Sequence, residues 1–204
     1  MHEREGVIQY QIQLETRKLQ LDASVLKSLN QWRAWLKMRA WLGQDAQRYQ
    51  GLGFGNLSVR TPEGFLISAS QTGALAYLSA AEVSEVVEAD PAHNFVRARG
   101  QLAPSSEALT HAAVYQAQPL AQAVIHVHAP QLWQARHQLL YPQTCASIGY
   151  GTPAMAQAIG AYVTQGERLI IMNGHTDGIL TWGADLIEAS LELQWAQQRL
   201  ASLT

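Results

Sequence analysis

The alternation of apolar and polar residues predicts that the chain mixes strands with helices. Residues 7–14 alternate between apolar side chains and glutamines, which predicts a strand with one wet face at a sheet edge. Residues 22–42 instead carry apolar side chains at helical spacing, with Gly43 as the expected stop. The tryptophans of this stripe could form a binding platform, but packing in the core is the simpler interpretation of their spacing.

Further along, glycines, prolines and caps divide the chain into short elements. The turn at residues 61–64 predicts a hairpin, and Pro130 and Pro153 predict helix starts. These elements predict an α/β sandwich around a largely antiparallel sheet. The expected elements are strands at 57–60, 65–70, 123–128, 169–172 and 179–182, and helices at 105–116, from 130, from 153 and at 184–202.

Composition narrows the class of protein. The 204 residues are 48% hydrophobic and 15% charged, with a formal net charge of -2, which fits one domain of ordinary size. The single cysteine, Cys145, excludes a disulfide framework and fits a reducing compartment. The first residues lack the continuous apolar stretch of a secretory signal, and no apolar stretch is long enough to span a bilayer. The chain also lacks a block of Lys and Arg residues that would favour binding to nucleic acid. We therefore expect a cytoplasmic protein that binds neither membranes nor nucleic acid.

Two histidines on one predicted strand are the main candidates for chemistry. In the segment 123–128, His126 and His128 point to the same side of a strand whose other residues are apolar. Their imidazoles could converge on one metal ion. The alternative is a pair of core histidines hydrogen-bonded to the backbone.

His175 is the candidate third ligand, because it lies in a glycine-flanked turn after an apolar strand. Alone it would be an ordinary loop histidine, but together with His126 and His128 it makes a three-histidine metal site with an open fourth position reasonable. The remaining histidines are expected at surface or packing positions: His2, His93, His111 and His137.

A serine pair and a glutamate stand where the next helix is expected to begin. Ser105, Ser106 and Glu107 lie at a predicted helix start, where free backbone N–H groups favour an anion such as phosphate. His111 follows Glu107 one turn later on the same face. The same three residues also fit an ordinary helix cap.

Taken in order, five motifs of the chain resemble the class II aldolase/adducin family. The resemblance covers about residues 30–200 and leaves an N-terminal arm, residues 1–21, outside the usual pattern, so that residues 22–204 form the expected domain. The motifs are GNLSVR (55–60), SQTG (70–73), PSSEALTHAAVY (104–115), VIHVHAP (124–130) and NGHTDGILTWG (173–183).

The resemblance implies a three-layer α/β/α sandwich with a central, largely antiparallel sheet. It implies one zinc ion per chain held by His126, His128 and His175, with Glu107 as the acid/base. Manganese, iron or cobalt would also accept histidine ligands. It further implies a homo-oligomer, most simply a tetramer, and a small-molecule substrate with or without a phosphate. In family members that act on sugar phosphates, the phosphate lies among the positions that match Asn56, Thr72, Gly73, Ser105 and Ser106.

The implied reaction is retro-aldol cleavage of a small hydroxylated, sugar-like substrate. A Lewis-acidic metal stabilises the enediolate left when a carbon–carbon bond breaks, and Glu107 shuttles the proton. A sugar-phosphate 4-epimerase or a dehydratase could use the same site. An adducin-like assembly protein without catalysis is the third alternative, although adducin heads lack the metal histidines that this chain keeps.

Two departures from the family pattern affect the expected substrate. The loop 67–73 is longer than the family's and lacks its proline, which weakens the case for a phosphorylated substrate. Two inserted residues after His175 bring in Asp177, a candidate second acid. Family aldolases also use a tyrosine from a neighbouring subunit, for which Tyr141 and Tyr150 are the candidates.

Overall fold

The computed structural model describes residues 6–203. Residues 1–5 of the expected arm, with His2, and Thr204 lie outside the described residues. The strands are β1 (Gln11–Thr16), β2 (Gly43–Gln44), β3 (Gly53–Phe54), β4 (Asn56–Thr61), β5 (Gly64–Ser68), β6 (Val83–Asp90), β7 (Phe95–Gly100), β8 (Ala123–His128), β9 (Leu169–Ile171) and β10 (Gly178–Gly183). The helices are α1 (Ala23–Met38), α2 (Ala108–Ala117), α3 (Pro130–Gln134), α4 (Arg136–Leu139), α5 (Pro153–Thr164) and α6 (Leu186–Ala201).

One eight-stranded sheet organises the molecule. Its strand order is β1-β7-β6-β5-β4-β8-β10-β9, and every pair is antiparallel except β1 with β7. The strands β2 and β3 form a separate two-stranded ribbon. The mixed α/β fold with a largely antiparallel sheet is therefore confirmed.

Helices cover both faces of this sheet. Buried side chains of α2 and α5 pack on one face, and those of α1, α3, α4 and α6 pack on the other. Because both faces are covered, every residue of β8 and of β10 is buried. The histidines of β8 therefore lie in the interior of a three-layer domain.

The N-terminal strand differs from its prediction. β1 begins at Gln11, where β7 first offers a partner at Phe95, and not at residue 7. Only one side of an edge strand is paired, so Ile12 is 37% exposed, while Tyr10 just before the strand is 5% exposed. How the chain divides into domains stays a prediction.

The first helix also ends earlier than its apolar stripe predicted. α1 stops at Met38, and Ala40 takes a left-handed conformation with φ of 53°. This turn sends Trp41 and Leu42 back into the core. Within residues 6–203, no helix is long and apolar enough to cross a membrane.

Candidate metal centre and adjoining cavity

His126 and His128 project from β8 toward the α2/α5 face of the sheet. The alternate residues of this strand, Ile125 and Val127, pack on the opposite face. Both histidines are fully buried. The alternation of the strand therefore places the two imidazoles side by side, as the sequence predicted.

His175 reaches the same place from the loop between β9 and β10. The His175 amide donates to the carbonyl of Met172, and the Gly178 amide donates to the carbonyl of His175, both at 2.9 Å. A Cβ on Gly174 would lie 2.0 Å from the Ile148 carbonyl oxygen, so only glycine fits there. This tight turn fixes the direction of the His175 side chain.

The three rings form one cluster, the histidine centre (His126, His128 and His175). Their centroids are separated by 4.7–5.1 Å, and one ligand nitrogen from each lies within 4.8 Å of the other two. Nitrogens on one tetrahedral zinc ion stand about 3.4 Å apart, a difference that small side-chain rotations close. The His126 Nδ1 lies 3.2 Å from the carbonyl oxygen of Ile179, so Nε2 is the nitrogen that would bind a metal. The donor set therefore fits a divalent ion.

Glu107 places a carboxylate at the histidine centre. Its Oε1 is 3.9 Å from the His175 Nδ1, and its Oε2 accepts a hydrogen bond of 2.6 Å from the Thr110 hydroxyl. The residue is completely buried. Thr110 thus holds one carboxylate oxygen while the other is directed toward the histidines.

The backbone around Glu107 is not the helical turn that the sequence predicted. α2 begins at Ala108, with Glu107 as its N-cap residue, so Ser105 and Ser106 lie before the helix. The Tyr10 hydroxyl lies 3.0 Å from the carbonyl oxygen of Pro104 and 2.9 Å from that of Ser105, and holds this turn outside the helix. Burial, and then the nearby Glu107 carboxylate, raise the pKa of Tyr10.

All five residues expected at a phosphate line a single small cavity of about 20 Å³, the polar cavity. Asn56 faces His126 across the β4–β8 pair, so the cavity adjoins the histidine centre. Asn56 is 6% exposed, and its Oδ1 has no hydrogen-bond partner among residues 6–203. The lining residues are Gly6, Gly53, Gly55, Asn56, Ala69, Ser70, Gln71, Thr72, Gly73, Ser105 and Ser106.

The longer loop and the N-terminal arm meet at the rim of the polar cavity. Gln71 adopts φ of 58°, its Nε2 donates to the Gly6 carbonyl at 3.1 Å, and its Oε1 accepts from the Gly53 amide at 3.0 Å. Sequence reasoning identified the longer loop but not Gly6. No pattern in residues 1–21 indicates that contact.

Asp177, the expected second acid, is engaged by a tyrosine that sequence reasoning missed. The Tyr49 hydroxyl donates to the Asp177 carboxylate at 2.6 Å and accepts from Arg48 at 2.7 Å. The Tyr49 ring lies edge-on to His128, 4.6 Å between centroids. Burial and the bond to Asp177 raise the pKa of Tyr49.

The two candidate tyrosines lie in different places. Tyr150 is 1% exposed and stacks on the ring of His175, with centroids 4.7 Å apart. Tyr141 is half-buried on the other side of the sheet, 5.8 Å from the Arg199 guanidinium. Within this chain, only Tyr150 of the two contacts the histidine centre.

The remaining described histidines are not at the site. His111 is fully buried in α2, with its Nδ1 2.7 Å from the Ser58 hydroxyl, and burial lowers its pKa to about 3. His93 and His137 are exposed. Of the two positions expected for His111, at the surface or in the packing, the structure shows the second.

Comparison with known proteins gives one family and one fold. A family model described as the class II aldolase and adducin N-terminal domain matches residues 44–202. No curated protein sequence matches the chain.

Three similar solved structures, all under a quarter identical, share the fold. L-fuculose-1-phosphate aldolase from Thermus thermophilus is 21% identical, with 89% of this chain and 93% of that chain covered at a TM-score of 0.69. A sugar-phosphate aldolase from Thermotoga maritima is 14% identical, covering 88% and 93% at 0.67. An aldolase II superfamily protein from Pseudomonas syringae is 16% identical, covering 90% and 77% at 0.60.

Proposed function

The chain belongs to the class II aldolase and adducin family, and we propose that it is a metal-dependent lyase of the aldolase type. Its substrate is a small, hydroxylated, sugar-like molecule that carries a phosphate. The convergence of three buried histidines with a buried glutamate is the observation that carries this proposal. An assembly protein without catalysis has no need to bury these four polar side chains at one point, because each costs desolvation.

The metal would be held by His126, His128 and His175, with zinc as the first choice for three imidazoles and manganese, iron or cobalt as alternatives. When bound, a divalent ion supplies a Lewis acid for the negative charge that develops on substrate oxygens as the carbon–carbon bond breaks. Tyr150 packs along His175, and Tyr49 packs against His128, so both rings are held in place.

Glu107 is the residue that moves the proton. Its Oε1 faces the histidine centre. The substrate carbon that becomes the carbanion when the carbon–carbon bond breaks must lie there, within reach of this carboxylate. Thr110 fixes Oε2, so that rotation of the carboxylate is restricted. The buried setting excludes bulk water from the carbanion formed in this step.

The polar cavity is the place for the substrate's phosphate. It offers the hydroxyls of Ser105 and Ser106 together with the amide of Asn56, which is paired with His126 across β4 and β8. The Thr72 hydroxyl donates to the Ala69 carbonyl at 2.8 Å, so Thr72 contributes to the cavity wall through its backbone. Cleavage therefore requires that the hydroxylated end of the substrate reaches the histidine centre while the phosphate stays in the cavity.

The test is the Glu107→Gln substitution in the full chain. We expect metal content to stay at the wild-type value while aldehyde release from a panel of sugar phosphates falls by about a hundredfold or more. Glu88→Gln, at an exposed residue paired with Arg97, is the control and should change neither quantity. Activity that survives Glu107→Gln contradicts the acid/base assignment, and conversion of substrate without aldehyde release identifies an epimerase or a dehydratase.

The homotetramer and the cytoplasmic location stay predictions from the family resemblance and from composition. The structure is of one chain, and the tyrosine of a neighbouring subunit is likewise an expectation.

A further inference from the structure

Two cations of helix α1 hold the backbone behind the polar cavity. The Arg33 guanidinium donates to the carbonyl oxygens of Thr72 at 2.8 Å and Leu75 at 3.3 Å. The Lys37 ammonium donates to the carbonyl oxygens of Gly73 at 2.8 Å, Ala74 at 3.2 Å and Leu75 at 2.8 Å. Four consecutive carbonyl groups are therefore turned toward α1.

These cations have no counter-charge on the described part of the chain. Arg33 is 1% exposed, and no carboxylate of residues 6–203 lies within ion-pair distance of it or of Lys37. Burial lowers the pKa of Arg33 to about 10, and burial together with the Arg33 charge lowers the pKa of Lys37. A buried cation that only carbonyl dipoles compensate is costly unless an anion binds nearby.

The direction of the peptide groups indicates where that anion binds. In a trans peptide, the C=O and N–H bonds point in opposite directions, and none of the described peptides is cis. Holding the Thr72 oxygen on the α1 side therefore turns the Gly73 N–H toward the other side, where Thr72 and Gly73 line the polar cavity. The Gly73 N–H is therefore one backbone donor directed toward an anion in the cavity.

An acceptor already occupies the rim of this cavity. The Gly6 carbonyl oxygen accepts hydrogen bonds from Gln71 at 3.1 Å and from Ser70 at 3.4 Å. The cavity of about 20 Å³ holds roughly one water, so a phosphate needs a wider cavity, and displacement of the Gly6 carbonyl from the rim would provide it. The donors that now bind Gly6 would then face the phosphate oxygens.

We propose that Arg33 and Lys37 are positioning residues for a phosphate ester in the polar cavity. Their charges, next to the carbonyl groups of residues 72–75, supply the positive potential that the cavity's own side chains lack. Both residues precede the span 44–202 that the family model matches. This inference rests on the proposed function only in taking the phosphate to be part of the substrate.

The test measures the affinity of inorganic phosphate for the full chain by titration calorimetry at constant ionic strength. Lys37→Met should weaken binding by about tenfold, because a charge within reach of a partly buried anion is removed. Lys27→Met, at an exposed residue of the same helix, is the matched control and should leave the affinity unchanged.

Two conservative variants separate the charge from a structural role. Lys37→Arg keeps the charge and should retain the affinity, whereas Lys37→Gln keeps a hydrogen-bond donor without charge and should lose it as Lys37→Met does. Thermal unfolding and metal content check that each variant is folded. Equal affinity in all of these proteins, absence of phosphate binding in the wild type, or rescue by Lys37→Gln overturns the proposal.

The outcome is distinguishable from failure of the proposed function. Phosphate binding that depends on Lys37 in a protein without lyase activity supports the cation pair and contradicts the lyase. Lyase activity on sugar phosphates with a KM that Lys37→Met leaves unchanged contradicts the cation pair alone.

Discussion

The histidine centre and the polar cavity adjoin each other but are built in different ways. The centre takes two of its three side chains from a central strand, whose direction the sheet fixes on both sides. The cavity is lined largely by glycines and short polar residues of loops, and its walls depend on side chains that lie behind them.

From this difference we expect that two neighbouring parts of one candidate active site can lose function separately. A strand-borne ligand set loses function when a ligand is removed, because the scaffold stays in place. A backbone-built cavity loses function when a supporting residue or a close backbone approach changes, even though no lining side chain is touched.

The largest expected effect is the loss of metal when ligands are removed. The double substitution His126→Ala with His128→Ala should reduce bound metal from about one ion per chain to nearly none, since a single imidazole cannot hold a divalent ion. Elemental analysis of protein purified without chelator measures this. His137→Ala, at an exposed histidine, serves as the control. A double variant that keeps its full metal content would show that the ion is elsewhere.

The second effect should fall on the cavity alone. A Cβ on Gly73 would lie 2.1 Å from the Gly43 carbonyl oxygen, so Gly73→Ala forces the loop to move. We expect phosphate affinity to fall by about tenfold and the free energy of unfolding by about 1–3 kcal/mol, with metal content unchanged. Calorimetry, urea unfolding and elemental analysis measure the three quantities.

Gly160→Ala is the matched control, because its Cβ would make only an ordinary contact of 3.9 Å. If Gly73→Ala removes the metal as completely as it removes phosphate binding, the two regions are not independent, and the comparison fails.

The smallest effect concerns a buried histidine that belongs to neither region. His111 has a pKa of about 3 in the folded protein against 6.5 when unfolded, so the unfolded state takes up the proton first as the pH falls. The stability that the neutral, buried His111 allows is therefore fully present above pH 6.5, and the free energy of unfolding decreases as the pH falls from 6.5 to 3. Relative to His111→Gln, the wild type should lose about 2 kcal/mol of unfolding free energy between pH 7 and pH 5. Urea unfolding of both proteins at both pH values measures this. If the difference in unfolding free energy between wild type and His111→Gln is the same at pH 7 and pH 5, the lowered pKa of His111 is contradicted.

Much of the fold was predictable because local patterns agree with the tertiary structure. The strand 123–128 was predicted with its observed bounds, and Thr152 and Pro153 open α5 as expected. The start of β1 and the end of α1 were wrong by several residues, because the partner strand and a left-handed residue decide them.

The grouping of the three histidines was predictable for the same reason, whereas their role as metal ligands stays a prediction. Period-two spacing puts His126 and His128 on one face in any strand, and the turn chemistry around His175 is visible in its glycines. The backbone at Ser105 and Ser106 was not predictable, since the hydroxyl of a distant tyrosine holds it out of the helix.

The strand and helix types and the shared face of the two histidines follow from periodicity, so they can be predicted from the residues alone. The candidate acid, Glu107, comes instead from the family resemblance, since local chemistry also fits an ordinary helix cap there. Three features of the site depend on tertiary packing instead. Tyr49 packs against His128 and binds Asp177, and Tyr150 rather than Tyr141 contacts the histidine centre. Arg33 and Lys37 lie behind the loop that carries Thr72 and Gly73. The physical reason is distance along the chain: these contacts join residues that no local pattern relates, and the packing of separate elements alone brings them together.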